Sequence, residues 1–368
     1  MKLSPVIACL AAGLLTGGRA ASQPASLPTL KSAFRHAFRV GAALNAPQFA
    51  EQNTQALNLI TNQFNTISPE NVLKWEPIHP APDRFNFDEA DQYVEFGRKY
   101  GMFIVGHNLI WQYQTPAWVF QDAKGGVITR DALLQRMHDH ILAVVGRYKG
   151  RIGGWDVVNE ALNDDGSLRQ SHWMQIIGPD YLVKAYQWAH EADPTVELYY
   201  NDYSMENPEK RAGAVALIKT LQSNGVNLAA VGLQGHYKMD WPTPGQIDDT
   251  IDTFAALGVK VMITELDLDL LRPSNRTADL SQMDADAQNA NDPYANGLPD
   301  SVQQELASRY AELFKVFLRH KGTITRVTFW GVGDGDSWLN RGRHNYPLLF
   351  DRHYQPKPAF DTVIALAH

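Results

Sequence analysis

The segment Gly-Gly-Trp-Asp-Val-Val-Asn-Glu at residues 153–160 is one of eight short β-rich runs that decide the fold. Each run is nearly continuous in apolar residues and ends in polar or aromatic ones. Strands that are buried on both faces have this composition, whereas half-exposed strands alternate between apolar and polar residues. The eight runs are Phe38–Asn45, Phe64–Glu70, Phe103–Trp111, Gly153–Glu160, Glu197–Asp202, Val231–His236, Val261–Asp267 and Val327–Asp334.

Helical patterns lie between these runs. The clearest is Asp131–Tyr148, in which apolar residues recur at steps of three and four and Gly150 follows as a terminating glycine. Strands that alternate with helices eight times predict an α/β fold, a single-domain (β/α)8 TIM barrel. The alternative is an open doubly wound sheet, but no run is followed by a Gly-x-Gly-x-x-Gly or Walker A loop.

The composition and charge of the chain exclude several classes of protein and of binding partner. The chain has 368 residues, a hydrophobic fraction of 44% and a formal net charge of −7. Such a chain builds a sizeable core, which excludes a disordered or fibrous protein. Because no long basic run is present, we expect neither a nucleic acid nor an anionic membrane as partner. We expect a monomer.

The first twenty residues resemble an export signal. Lys2 precedes an apolar stretch at Pro5–Leu15, and the small-residue pattern around Ala20 is compatible with cleavage there. The alternatives are a disordered N-terminus or a short anchor. We therefore predict a signal peptide at 1–20, a lead-in at 21–34 and the barrel domain at 35–368. Cleavage would remove Cys9, the one cysteine, and release a secreted protein to the periplasm or the medium.

Two glutamates follow strands that face each other across the barrel mouth. Glu160 ends the fourth run and Glu265 follows Val-Met-Ile-Thr in the seventh. Catalytic groups of such barrels lie at the C-terminal ends of the strands. Hydrolysis of a glycosidic bond needs one protonated carboxyl and one ionised carboxylate, and mutual repulsion separates their pKa values. The alternative is that each glutamate only pairs with an arginine or lysine beneath a loop.

A metal site is the alternative to a site built on the two glutamates. His138-Asp139-His140 looks like a ligand pair, but it lies within the helical segment 131–148, and we interpret it as a solvated helix face. Residues 284–292 carry enough oxygens for calcium, yet they lack the turn glycine and terminal glutamate of an EF-hand, which favours a solvated acidic loop. We therefore predict no metal and no cofactor.

Aromatic side chains gather near the predicted strand ends. Sugars stack their C–H faces on aromatic rings and present hydroxyls to planar polar groups. The candidate platforms are Trp75, Trp111, Trp118, Trp330 and Trp338, whereas Trp155 and Trp188 fit a core role. The polar partners available at this rim are Glu70, Asn71, Lys74, His107, Gln114, Asn159, Asn201 and Gln234.

From about residue 35 to its end, the chain resembles the family 10 glycoside hydrolases, the endo-β-1,4-xylanases. The motifs that carry this resemblance occur in the family's order. They are Ser-Pro-Glu-Asn-Val-Leu-Lys-Trp (68–75), Gly-His-Asn-Leu-Ile-Trp (106–111), Trp-Asp-Val-Val-Asn-Glu (155–160), Tyr-Tyr-Asn-Asp-Tyr (199–203), Gly-Leu-Gln-Gly-His (232–236), Ile-Thr-Glu-Leu-Asp (263–267) and Phe-Trp-Gly-Val-Gly-Asp (329–334).

The resemblance implies a role for each matching residue. Glu160 would be the acid/base and Glu265 the nucleophile of a retaining reaction, with their carboxyl groups about 5–5.5 Å apart. Asn159 would bind the 2-hydroxyl of the reacting sugar, His236 and Asp267 would orient the nucleophile, and Gln234 would lie near both carboxylates. The residues implied to bind xylan or its oligosaccharides are Glu70, Asn71, Lys74, His107, Trp111, Gln114, Asn201, Tyr203, Trp330 and Trp338.

Two positions depart from the family pattern. Gln112 stands where the family usually has histidine, which removes a titratable group near the glycone side. Gly333 stands where threonine is usual. The leading hypothesis is therefore a secreted endo-β-1,4-xylanase. The alternatives are a related β-1,4-glycanase that acts on glucan and a catalytically silent carbohydrate-binding barrel.

Overall fold

The structure is a computed structural model that describes Met1 and residues 28–271 and 292–367. The predicted leader with Cys9, apart from Met1, lies outside the described residues, as does the acidic segment 284–291. Within the described residues the strands are β1 (Arg39–Leu44), β2 (Thr66–Pro69), β3 (Phe103–Ile110), β4 (Gly154–Asn159), β5 (Glu197–Asp202), β6 (Ala230–Leu233), β7 (His236–Lys238), β8 (Lys260–Asp269) and β9 (Ile324–Phe329).

Helices separate the strands along the chain. The described helices are α1 (Leu30–Ala33), α2 (Ala46–Phe49), α3 (Thr54–Gln63), α4 (Trp75–Ile78), α5 (Asp88–Lys99), α6 (Arg130–Arg147), α7 (His172–Ile177), α8 (Asp180–Ala192), α9 (Pro208–Ser223), α10 (Pro244–Ala255), α11 (Asp300–Arg319) and α12 (Pro358–Ala365), with 3-10 turns at Ala117–Phe120 and Asp334–Asp336. None of these helices is both long and apolar enough to cross a bilayer.

The strands close into a parallel barrel. Hydrogen bonding runs in the order β6-β5-β4-β3-β2-β1-β9-β8, and β8 pairs with β6 to complete the ring. Every pairing is parallel, so all the C-terminal ends meet at one rim. The predicted (β/α)8 barrel is confirmed.

The predicted sixth run is interrupted. β6 ends at Leu233, and β7 resumes at His236 as a short strand that pairs only with β8. Gly235 lies between them with φ +83, a left-handed conformation that glycine adopts without the clash a Cβ causes. This bend separates Gln234, which follows β6, from His236, which begins β7.

Local signals explain where the helices begin and end. In α5, acidic residues occupy the first turn and Arg98 and Lys99 the last, which opposes the helix dipole favourably at both ends. Thr243 and Gln246 form a reciprocal capping box at the start of α10. Packing of the apolar faces of these helices against the barrel then supplies most of the core.

The packed structure begins before residue 35. Helix α1 lies within the predicted lead-in, and its Leu30 is fully buried. Phe34 stacks on Phe38 and packs against Phe314 of α11, with ring centroids 5.3 Å and 5.2 Å away. These contacts make the C-terminal part of the predicted lead-in a part of the barrel core.

Helix α6 matches the predicted helix within one residue at each end, but the prediction of a solvated face is wrong for His140. His140 is fully buried, since it shares a helix face with Met137 and Val144. Its ring stacks on Trp75 with a centroid separation of 3.6 Å. Only His138 retains partial exposure, 27% of its side chain, as expected for a solvated face.

Candidate active site

A cleft of about 180 Å³ opens at the rim formed by the C-terminal strand ends. Its walls combine carboxylates, amides, a lysine, histidines and indole rings. The lining residues are Glu70, Asn71, Lys74, His107, Trp111, Gln114, Asn159, Glu160, Gln234, His236, Glu265, Trp330 and Trp338. All thirteen were predicted from the sequence as site residues, so the topology brings distant motifs together at one place.

Glu160 stands at the end of β4 with its carboxyl group almost fully buried. Its backbone has φ 56, uncommon for a residue other than glycine, and its N–H donates to the carbonyl of Asn201 at 2.9 Å. Oε2 accepts hydrogen bonds from Trp111 Nε1 at 2.8 Å and Gln112 Nε2 at 3.1 Å. Oε1 accepts from Gln234 Nε2 at 3.0 Å and Asn159 Nδ2 at 3.3 Å.

The surroundings of Glu160 favour its neutral form. Burial and the negative charges of Asp202 and Glu265 raise the pKa of Glu160, and the hydrogen bonds from Gln234 and Trp111 oppose this rise only in part. A carboxyl group with a raised pKa can stay protonated near neutral pH and give its proton to a leaving group.

Glu265, on β8, has the opposite electrostatic surroundings. Burial alone would favour its neutral form, but the hydrogen bond from His236 and the nearby charge of His107 lower the pKa of Glu265 below its usual value. Asn201 Nδ2 also donates to Glu265 Oε1 at 2.8 Å. The carboxylate is therefore held ionised, as a nucleophile requires.

An amide bridge connects the two glutamates. Asn201 Nδ2 donates to Asn159 Oδ1 at 2.9 Å as well as to Glu265, and Asn159 in turn donates to Glu160. Thr264 donates to Asn201 Oδ1 at 2.6 Å. Since every link involves a buried group on a barrel strand, the bridge fixes the relative position of the two carboxyl groups.

His236 lies between two carboxylates. Its Nε2 is 3.0 Å from Glu265 Oε2, and its Nδ1 is 2.9 Å from Asp267 Oδ1. Burial would lower the pKa of His236, but the charges of Asp267 and Glu265 raise it to about 10. Trp338 Nε1 donates to the other oxygen of Asp267 at 2.8 Å, so this wall of the cleft is connected to the same network.

The far wall of the cleft presents planar polar groups beside aromatic rings. Lys74 Nζ donates to Asn71 Oδ1 at 3.0 Å and lies 4.9 Å from the centre of the Trp111 ring. His107 is oriented by Asp156 at 2.9 Å and meets the edge of Trp330. Such a combination of ring faces and fixed hydrogen-bonding groups suits a neutral, hydroxyl-rich ligand.

Comparison with known proteins identifies the family. The sequence model described as "Glycosyl hydrolase family 10" matches residues 29–366. The chain belongs to glycosyl hydrolase family 10. It is 43% identical to endo-1,4-beta-xylanase A of Xylanibacter ruminicola over 92% of this chain and 93% of that protein. The beta-1,4-xylanase of Dictyoglomus thermophilum is 40% identical, with coverage of 92% and 91%.

The fold agrees with solved members of family 10. A GH10 endoxylanase retrieved from a sugarcane soil metagenome superposes with a TM-score of 0.86 at 43% identity, covering 92% of this chain and 99% of that one. The chain is accordingly a glycoside hydrolase.

Three predicted site residues lie behind the cleft rather than in its wall. Asn201 and Asp267 are fully buried and contact the network around Glu265, so Asn201 supports a carboxylate instead of lining a sugar subsite. Tyr203 is 2% exposed, because Arg169 donates to its hydroxyl and Lys210 Nζ lies 3.3 Å from its ring centre. The structure does not support the prediction that Tyr203 binds substrate.

Two predicted aromatic platforms, Trp75 and Trp118, do not line the cleft. Trp75 is 2% exposed and stacks on His140, and Trp118 packs edge-on against His79. Trp75 begins α4, which follows β2, and Trp118 lies in the 3-10 turn that follows β3. Trp111, Trp330 and Trp338 do line the cleft.

The contact between Gln112 and Glu160 was not predicted, because position 112 was expected to lie near the glycone side. The sequence feature that could have indicated this contact is the place of Gln112 directly after Trp111, which donates to the same oxygen of Glu160.

Among the described residues there is no group of three or more histidine, cysteine, aspartate or glutamate side chains arranged to hold a metal ion.

Proposed function

We propose that this chain is an endo-β-1,4-xylanase that hydrolyses internal linkages of xylan with retention of configuration. The observation that carries the proposal is the opposite tuning of two buried glutamates in one cleft. Glu160 is held towards its neutral form and Glu265 towards its ionised form. A retaining glycosidase needs this division of roles between a proton donor and a nucleophile. The relatives named above are xylanases, which supports xylan as the substrate.

In the first step, an oxygen of Glu265 attacks the anomeric carbon, and the bond from that carbon to the glycosidic oxygen breaks. Glu160 gives its proton to this leaving oxygen, so the departing sugar carries a hydroxyl and Glu160 becomes a carboxylate. The product is a glycosyl ester on Glu265. Glu265 is held in a single orientation for the attack by two hydrogen bonds, from Nε2–H of His236 and from the amide N–H of Asn201.

In the second step, Glu160 acts as the base. It takes a proton from a water molecule, whose oxygen attacks the anomeric carbon from the opposite face and releases Glu265 as a carboxylate. Two inversions give net retention, and Glu160 ends the cycle protonated as it began. The charge of His236 stabilises the carboxylate that departs in this step.

Substrate recognition follows from the polar wall. Asn159 would bind the 2-hydroxyl of the reacting sugar, since its amide lines the cleft beside Glu160 and is connected to Glu265 through Asn201. Glu70, Asn71, Lys74, His107 and Gln114 offer hydrogen bonds to the xylose units beyond it, and Trp330 and Trp338 offer ring faces. A neutral polymer of this kind needs no electrostatic steering towards the cleft.

We also propose that the protein is exported, on the pattern of residues 1–20. N-terminal sequencing of the secreted protein tests this proposal, and we expect the mature sequence to begin near Ala21.

The assay that tests this function measures release of reducing sugar from xylan and from carboxymethyl cellulose. We expect the wild type to act on xylan preferentially and Glu265→Ala to be inactive on both polymers. Glu305→Ala, which changes an exposed glutamate of α11, is the matched control and should match the wild type. Equal wild-type activity on the two polymers would favour a general β-1,4-glycanase, and an active Glu265→Ala would refute the assigned nucleophile.

A further inference from the structure

Among the described residues, four hydrogen bonds reach the Glu160 carboxyl group, and all of them come from N–H donors: Trp111, Gln112, Asn159 and Gln234. Donors stabilise the carboxylate. In the proposed reaction, however, Glu160 must also exist as a protonated acid, whose O–H needs an acceptor while no substrate is bound. A partner that can change from donor to acceptor would give that proton an acceptor within the protein.

Three of the four partners are fixed as donors. The indole of Trp111 has no acceptor. The orientation of the Asn159 amide is set by Asn201, whose Nδ2 donates to Asn159 Oδ1 at 2.9 Å. Gln234 Nε2 lies 3.5 Å from the same oxygen of Asn159, which holds its N–H side towards Glu160.

Gln112 is the exception. Its amide makes one hydrogen bond among the described residues, from Nε2 to Glu160 Oε2 at 3.1 Å. Its side chain is half-buried, so its other end is not locked into the protein core. An amide carries a donor and an acceptor of nearly equal size, and a rotation by half a turn exchanges them. Rotated in this way, Gln112 would offer Oε1 to a proton on Oε2.

We propose that Gln112 is a positioning residue that serves both protonation states of Glu160, donating to the carboxylate and accepting from the protonated acid. The proton of the resting acid then lies on Oε2, between Gln112 and the open cleft. This inference rests on the proposed function, because it assigns an active role to a residue beside the acid/base.

The titratable groups that face Glu160 come from several elements. Glu265 lies on β8, Asp202 on β5, Lys74 in the segment after β2, and Tyr203 directly after β5. Arg169 donates to the backbone carbonyl of Glu160. Gln112 itself does not titrate, so its replacement by another neutral residue adds no new ionisation to the pH profile.

The test compares Gln112→Met with wild type on two substrates. Hydrolysis of xylotetraose needs the proton of Glu160, whereas dinitrophenyl β-xylobioside has a leaving group that departs without one. We expect kcat/KM for xylotetraose to fall about tenfold or more, as one hydrogen bond to an ionisable group is lost. For the activated substrate, kcat/KM should change by less than about threefold.

The pH profile separates a two-state partner from a simple donor. If Gln112 serves both states, the basic limb of kcat/KM for xylotetraose should move by less than about 0.3 pH unit in Gln112→Met. If Gln112 only donates, its loss favours the protonated acid and the limb moves to higher pH, which contradicts the proposal. An equal loss on both substrates would indicate a purely structural role and would also contradict it.

Two further variants keep the result unambiguous. Gln135→Met changes an exposed glutamine of α6 and should leave both substrates unaffected. If Gln112→Met does not fold, Gln112→Glu replaces it. The new carboxylate beside Oε2 should raise the pKa of Glu160, so the basic limb of kcat/KM for xylotetraose should shift to higher pH by more than about one pH unit. An unmoved limb would refute the contact.

Glu160→Gln tests the underlying function. If it hydrolyses xylotetraose normally, the acid assignment itself fails, whereas an inactive Glu160→Gln beside a fully active Gln112→Met refutes only this inference.

Discussion

Nε2 of His236 lies 3.0 Å from Oε2 of Glu265, and the same ring is anchored to Asp267 on its other side. This contact places a cation against the carboxylate that we propose as the nucleophile. The negative charges on both sides of the ring raise the pKa of His236 to about 10, so the imidazole stays protonated throughout the range in which the enzyme would work.

Removal of this charge should weaken the nucleophile in a pH-dependent way. In His236→Gln the pKa of Glu265 rises, because the cation that favours its ionised form is gone. The acid limb of kcat/KM should therefore shift to higher pH, and its maximum should fall about ten- to a hundredfold. Steady-state kinetics on xylo-oligosaccharides across pH measure both effects. His190→Gln, on the exposed face of α8, is the control, and an unmoved acid limb in His236→Gln would contradict the assigned role.

The amide bridge depends on the absence of a side chain at position 232. A Cβ on Gly232 would lie 2.4 Å from Asn201 Oδ1 and 2.7 Å from Thr264 Cγ2. Gly232→Ala should displace Asn201 and lower kcat/KM by roughly a hundredfold, since small displacements of catalytic groups are costly. Gly146→Ala, in α6 with nothing within 4 Å, should leave activity unchanged. Wild-type activity in Gly232→Ala would show that the bridge does not position the carboxylates.

The buried histidine pair should make stability depend on pH. His79 Nε2 lies 3.3 Å from the carbonyl of Pro82, which fixes its proton there and makes its Nδ1 the acceptor for His140 Nδ1–H at 3.1 Å. Burial lowers the pKa of His140 well below its usual value. The unfolded chain therefore takes up a proton that the folded chain refuses, and stability is lost as pH falls below about 6.5.

His140→Phe keeps the ring that stacks on Trp75 and removes the titration. Between pH 7 and pH 5, the wild type should lose about 1–2 kcal/mol of unfolding free energy relative to this variant. Urea denaturation at a series of pH values measures this difference. A difference that is the same at all pH values would contradict the account.

A buried ion pair connects the segment after β9 with the start of α12. Lys357 Nζ donates to Asp334 Oδ2 at 2.9 Å and to the carbonyls of Tyr346 and Leu348 at 2.8 Å each. Burial raises the pKa of Asp334 to about 6 despite this pairing, so its charge depends on its partner. Lys357→Met should cost about 3–5 kcal/mol in denaturant unfolding, because it leaves a buried carboxylate unpaired. Lys315→Met, on the exposed face of α11, should cost less than about 1 kcal/mol. A similarly small cost for Lys357→Met would show that the pair is not a structural anchor.

The barrel was predictable because its strands are buried on both faces. Such strands consist of nearly continuous apolar residues, which can be recognised in the sequence. Their ends were less predictable. The last run was expected to reach Asp334, but β9 stops at Phe329, before the left-handed Gly331. The break at Gly235 was likewise not predicted, although Gln234 and His236 on either side of it are polar. Glycine is compatible with both a strand and a bend, so only the packed barrel decides between them.

The site was predictable where a functional group stands at a strand end, as Glu160 and Glu265 do. It was not predictable where burial depends on tertiary contacts. Tyr203 follows a strand end, yet Lys210 from α9 covers its ring. His140 looks polar in a helical pattern, but stacking on Trp75 makes it part of the core. The partner of Gln112 depends on how the loop after β3 folds back on β4, which no local pattern specifies.

The most direct test of the central claim is to trap the covalent intermediate. A 2-deoxy-2-fluoro xylobioside with an activated leaving group should slow the second step, so the glycosyl-enzyme should accumulate. Mass spectrometry of a proteolytic digest then locates the sugar. We expect one fluoroxylobiosyl group on Glu265 in the wild type and no label in Glu265→Ala. A label on another residue, or hydrolysis of the compound with an α-configured first product and no trapped ester, would contradict it.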